Sequence, residues 1–122
     1  MKIILLMITA ILLTSCGKTA KNEKTSLAFV TNGPADFWLY CQAGVEKAGR
    51  ELGVDVQFKV GDMTTAKQKQ IVDDLLVSGV QGVAISPASP KDQKQMINDW
   101  ASYIPVICAD SDSSESNRLS YL

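Results

Sequence analysis

The sequence predicts an α/β fold, a parallel sheet with helices on both faces, and three observations carry that prediction. Short apolar or alternating runs take turns along the chain with longer segments whose apolar residues recur at helical spacing. The longer segments begin or end on residues suited to cap a helix. Two of the short runs are apolar almost without interruption, the pattern of strands buried between layers.

The first fifteen residues stand outside this pattern. Lys2 supplies a positive charge, 3–13 is an apolar run broken only by Thr9, and LTSC follows at 13–16. A helix that spans a bilayer needs roughly 17–25 residues, so the run reads instead as a secretion signal. A cysteine directly after two small residues is similar to the lipobox of bacterial lipoproteins, in which the thiol is acylated and becomes the new N-terminus. An ordinary signal peptide with a chance cysteine is the weaker alternative, because charged, apolar and lipobox segments occur together. The resemblance implies a lipoprotein signal peptide over 1–15 and a lipid anchor on Cys16. The polar, aperiodic stretch up to residue 25 then serves as a tether, so that 16–25 is a linker and 26–122 the folded part.

Within 26–122 the elements follow one another in β-α order. LAFV at 27–30 is a strand ended by Asn32, Gly33 and Pro34. In the first helix Cys41, Gly44, Val45, Ala48 and Leu52 share a face, and Gly53 suits the left-handed position after the last turn. VDVQFKV at 54–60 alternates strictly, which places it nearer an edge of the sheet. The second helix opens with TAKQ at 65–68, a capping-box spelling, carries Ile71, Val72, Leu75 and Leu76 on one face and closes at Gly79. VQGVAIS at 80–86 is the third strand. The third helix starts at Ser89 with Pro90 in the first helical position and buries Met96, Ile97 and Trp100. IPVICA at 104–109 is the fourth strand. Such an order implies right-handed crossovers, with ligands gathering at the carboxyl ends of the strands.

Composition removes several functions. A net charge of −1 gives no electrostatic purchase on nucleic acid. With no His, zinc sites and nucleophilic triads have little to build on, and no cofactor or metal is implied. DSDSSE at 110–115 begins like a calcium loop but has Glu115 where Gly is required and Tyr121 where Glu is required. NGPAD at 32–36 lacks the glycines that let a backbone hug phosphate. An enzyme using rim carboxylates stays open as an alternative to a binding protein. Cys41 and Cys108 read as small buried hydrophobes, and whether they pair is left open.

The four strands end in TNGPADFW, GDMTT, SPASP and DSDSSESN, and only the first of these brings large rings. A flat ring beside a carboxylate and amides suits a sugar, with the ring stacking on C–H patches while polar groups take the hydroxyls. By periodicity alone, packing at a helix start is the better fit for Phe37 and Trp38. Asp110 ends the fourth strand, where a carboxylate can accept from two hydroxyls, although a turn former reads the same way.

LAFVTNG, DFW, AGVEKAGRELG, VSGVQGVAISP and IPVICADSD, in that order, resemble the N-terminal half of ribose-binding-protein-like periplasmic solute-binding proteins. The likeness spans nearly all of 27–122. It implies a partial N-terminal lobe of the type 1 periplasmic binding protein fold, from which the second lobe is absent. It also implies a sugar ligand, a membrane ABC permease as partner and a place in the cell envelope, periplasm-facing or extracellular. A module that reports solute to a sensor kinase or chemoreceptor is the alternative of the same fold. By the same resemblance Phe37 and Trp38 stack on the ligand, Asp110 accepts its hydroxyls, and Thr31 reaches it from the end of the first strand. Asp36 and Asn32 lie in the same loop. Ser111 stands where ribose binders often carry arginine, which argues against ribose itself. Ending at RLSYL, before the family's fifth strand, the chain is expected to leave a sheet edge unpaired, to be marginally stable and to bind sugar poorly on its own.

Overall fold

The computed structural model describes residues 24–122; the expected signal peptide and Cys16 lie outside them. Eight elements follow in order: β1 (Ser26–Val30), α1 (Phe37–Leu52), β2 (Asp55–Lys59), α2 (Thr65–Val77), β3 (Val83–Ile85), α3 (Lys94–Ala101), β4 (Val106–Cys108) and β5 (Ser120–Tyr121). The strands form one parallel sheet in the order β2-β1-β3-β4-β5. The chain steps from β1 outward to β2, then back across β1 to β3. With right-handed crossovers that reversal puts α1 on one face and α2 and α3 on the other.

The α2/α3 face is the dry one. Ala28, Val30, Val83, Ile85, Val106 and Cys108 point into it and pack with Val72, Leu75, Ile97 and Trp100 as one buried cluster. The α1 face is less complete. Phe29, Phe58, Ala84 and Ile107 form one cross-strand row there, with Phe29 and Phe58 stacked at 5.4 Å and 5°. Helix α1 covers only part of this face, leaving an apolar groove of about 320 Å³ lined in part by Val45, Leu52, Ala84 and Ile107. Burial of β3 and β4 on both faces, expected from their apolar runs, is therefore half met: Ala84 and Ile107 are only partly covered.

The alternating run is the edge strand β2, as its pattern predicts. Gly53 follows α1 at a φ of 68° and donates its N–H to the Gly49 carbonyl, the left-handed ending expected there. Two helix starts differ from the sequence reading. Thr64, not Thr65, caps α2, being extended (ψ 143°) and accepting from the Lys67 N–H. Gln68 thereby moves one place beyond the capping position and turns inward. Helix α3 starts at Lys94 rather than beside Pro90, after a turn closed by the Gln93 N–H on the Ser89 carbonyl (2.9 Å). Here too a glutamine, Gln93, is drawn inside.

The fifth strand corrects the expectation of an unpaired edge beside β4. Ser120 and Tyr121 lie parallel to β4, held where Leu119 N–H donates to the Val106 carbonyl (2.7 Å) and Leu122 N–H to that of Cys108 (3.0 Å). Among the described residues Cys41 and Cys108 are both free thiols. Burial pushes each of them above its ordinary pKa, which suits packing rather than reactivity.

Candidate functional site

The strand order 2-1-3-4-5 reverses between β1 and β3, so the carboxyl ends of these two strands flank a switch point where open α/β sheets bind ligands. Val30, Ile85 and Cys108 are in register, and each ladder runs one residue further. Ser86 N–H donates to the Val30 carbonyl and Ala109 N–H to that of Ile85, both at 2.9 Å. Thr31, Ser86 and Ala109 thus stand level on one rim, neighbours about 4.8 Å apart.

On that rim the Thr31 side chain turns inward. It is fully buried, its hydroxyl donating to the Gly33 carbonyl (3.0 Å) and accepting from the Gly61 N–H (3.2 Å). Among the described residues the hydroxyl that was expected to reach a ligand from the end of β1 is engaged by two main-chain partners. Gly61 in turn leaves no room for a side chain. A Cβ there would sit 2.5 Å from the Thr31 carbonyl oxygen and 2.7 Å from that of Asn32.

The two adjacent rings separate. Phe37 opens α1 with 60% of its surface exposed, whereas Trp38 is 6% exposed. The indole packs against Phe29 at 5.8 Å and meets the Phe37 ring edge-on at 5.0 Å. Its Nε1–H donates to Asn32 Oδ1 at 3.2 Å, so Asn32 is spent on fastening the loop to the helix. Asp36 precedes α1 without capping it and is exposed.

Asp110 is set apart by its backbone. It lies beyond β4 at a φ of 66°, a left-handed conformation that Asp tolerates better than most residues. The Ser86 hydroxyl donates to its Oδ2 at 2.9 Å, while Tyr121 Oη donates to its main-chain carbonyl at 3.0 Å. The rest of this loop is pinned, with Arg118 gripping Asp112 through Nε and Nη2 and the Ser113 hydroxyl donating to the Pro90 carbonyl at 2.8 Å. On the loop after β2, hydrogen bonds from the Thr64 hydroxyl (2.6 Å) and N–H (3.0 Å) hold the Asp62 carboxyl below the usual carboxylate range. Asp110 and Ser86 are thus brought together, while Asp36 and Phe37 flank the β1 end and hydrogen-bond to neither.

Ser86, Gln68 and Gln93 escaped the sequence reading. Gln68, fully buried, donates from Nε2 to the carbonyls of Thr31 (2.9 Å) and Ser86 (2.7 Å). Its Oε1 accepts from the Ala88 N–H and from Gln93 Nε2, both at 2.9 Å. Gln93 Oε1 accepts from the Ser89 N–H at 2.8 Å. A buried glutamine amid the apolar positions of α2 is the signal that was available, because such a group must find partners for its whole amide.

The comparisons agree with this fold. The model of the periplasmic binding protein domain matches residues 27–122. No curated protein matches. Among solved structures, an ABC transporter solute-binding protein from Burkholderia graminis C4D1M, in complex with D-arabinose, is 31% identical, with a TM-score of 0.76 over 81% of this chain and 35% of its own. The arabinose-binding protein AraP from Geobacillus stearothermophilus is 26% identical, with a TM-score of 0.74 and the same coverage. The XylFII–LytSN complex is 26% identical, with a TM-score of 0.72 over 82% of this chain and 38% of its own. The chain therefore spans little more than a third of the length of these relatives. A match that starts in β1 and ends on the last residue of the chain makes this protein a member of the periplasmic binding protein domain family.

Proposed function

We propose that residues 27–122 form one wall of a binding site for a small sugar, in an envelope lipoprotein that captures the sugar for uptake through a membrane ABC permease. The observation that carries this reading is the exposed Phe37 ring on the same rim as Asp110, whose Oδ2 accepts from Ser86 while Oδ1 accepts no hydrogen bond among the described residues. A ring for C–H faces and an oriented acceptor for hydroxyls match the two surfaces of a pyranose or furanose. Relatives of similar fold that bind arabinose support the sugar class. A second lobe supplies the opposite wall, and the role is binding without turnover.

Calorimetric titration of the native protein with D-arabinose, D-xylose and D-galactose tests the reading. Saturable binding of at least one is expected, and Asp110→Asn should weaken it by about 1.5–3 kcal/mol, the range for hydrogen bonds to a charged group. No heat with any of the three, or equal affinity in the variant, would overturn it. The XylFII–LytSN complex supports a second reading, in which the bound solute is reported to a protein partner rather than passed to a permease. Sugar uptake that persists in cells lacking the protein would favour it.

The anchor is part of the same proposal. Cys16 is diacylated; one chain alone holds a protein to membranes only marginally and two hold it stably. Cells fed a fatty-acid probe should label the wild type and not Cys16→Ala. Equal labelling of both would remove the anchor.

A further inference from the structure

We propose that Gln68 is the positioning residue of the rim, a single buried side chain that holds the four loops of the site in register and through Ser86 aims Asp110. The inference rests on the rim being the ligand site, but its geometry stands independently. Gln68 sits on α2 beneath the rim with its amide fully used. The Thr31 carbonyl ties it to the loop after β1, and the hydroxyl of the same Thr31 receives Gly61 from the loop after β2. The Ser86 carbonyl and Ala88 N–H tie it to the loop after β3, which Gln93 extends to Ser89. The hydroxyl of that same Ser86 donates to Asp110 in the loop after β4. No other side chain among the described residues hydrogen-bonds to both the loop after β1 and the loop after β3, the pair that flanks the switch point.

Chemistry explains why a glutamine stands there. Two carbonyls from different loops need two donors diverging from one point, while an N–H and a second amide need an acceptor on the other side, and a primary amide offers both in one plane. An apolar residue of similar size leaves two carbonyls and an N–H buried without partners, and the loops must part to reach water. A carboxylate keeps the acceptor and loses both donors. Protonating that carboxylate restores one of them, which makes Gln68→Glu a graded probe.

The full chain, labelled with nitrogen-15 and held in detergent micelles, gives the test by NMR. Gln68→Leu, and Gln68→Glu at pH 7, should shift the amide resonances of Gly61, Ser86, Ala88 and Asp110 and speed exchange at Ser86 and Ala88 at least tenfold. Strand starts such as Ser26 should stay in place, and lowering the pH to 5 should move the Gln68→Glu rim partway back. Val72→Ala, also fully buried on α2 one turn away, serves as the control for plain loss of stability, and it should speed exchange throughout without singling out the rim. Rim resonances unmoved in the Gln68 variants, or moved as much in Val72→Ala, would overturn the proposal, as would unfolding of both Gln68 variants. D-arabinose supplies the second arm, with the native protein expected to lose at least tenfold in affinity in Gln68→Glu and to keep it in Val72→Ala. Wild-type protein that binds none of the sugars defeats the sugar reading alone, and the resonances then decide on Gln68.

Discussion

Trp100→Ala should destabilise the domain by about 3–5 kcal/mol, the range for removing a large buried ring. Trp100 is 2% exposed and lies in the cluster that joins α2 and α3 to the sheet, against the same core as Val72 and Ile97. Domains of this size are stable by only about 5–15 kcal/mol, so most of the cooperative transition should move or disappear in urea. The ring also has a polar end. Its Nε1–H donates to Asp73 Oδ1 at 3.0 Å, while Lys69 pairs with the other carboxylate oxygen. Partial burial pushes the Asp73 carboxyl up, yet the bonds from Lys69 and Trp100 outweigh it and hold the group below its ordinary range. A depressed carboxyl contributes stability above its unfolded pKa of about 3.9 and loses it as the pH falls through the folded value. Trp100→Phe, which keeps a ring and drops the N–H, should therefore cost less than the alanine variant and show a shallower loss of stability below about pH 4. Urea melts at pH 7 and pH 3 separate the two contributions. A Trp100→Ala chain that melts with the wild type would show that the α2/α3 face is not the principal core.

How far the molecule was legible in its sequence follows from where each signal resides. Strand β2 and the turn at Gly53 were readable because alternation and a left-handed glycine are local facts. The α2 start was misread because Thr64 and Thr65 are adjacent and either spells a cap. What decides between them is the pull of Gln68 into the interior, which depends on carbonyls contributed by Thr31 and Ser86. Strand β5 carries no apolar run, being two exposed residues paired through main-chain atoms alone, so no periodicity announces it. That the loops after the strands gather on one rim was readable in outline, since strand ends follow from β-α order. Its inner workings were not readable, because whether a hydroxyl such as that of Thr31 faces a ligand or a neighbouring loop depends on the approach of Gly61, thirty residues away.

The division between Phe37 and Trp38 had a local trace. Trp38, Cys41, Val45, Ala48 and Leu52 recur at intervals of three and four, which puts Trp38 on the stripe of α1 that meets the sheet and leaves Phe37 off it. Opposite consequences are expected for the two rings. Phe37→Ala should leave stability within about 0.5 kcal/mol, as exposed positions usually do, and weaken sugar binding by about 1–3 kcal/mol through loss of an aromatic anchor. Trp38→Ala should cost about 3–5 kcal/mol of stability, because it empties the space against Phe29 and frees the Asn32 Oδ1 that fastens the rim loop. Any loss of binding in that variant should follow from the displaced loop, so Trp38→Phe, which refills most of the space, should recover most of the affinity. Thermal melts and sugar titrations on the three variants decide the matter. Affinity lost in Phe37→Ala at unchanged stability identifies the stacking ring, whereas a Trp38→Ala chain that keeps its melting temperature and loses only its sugar would reverse the roles and place the indole, not the phenyl ring, against the ligand.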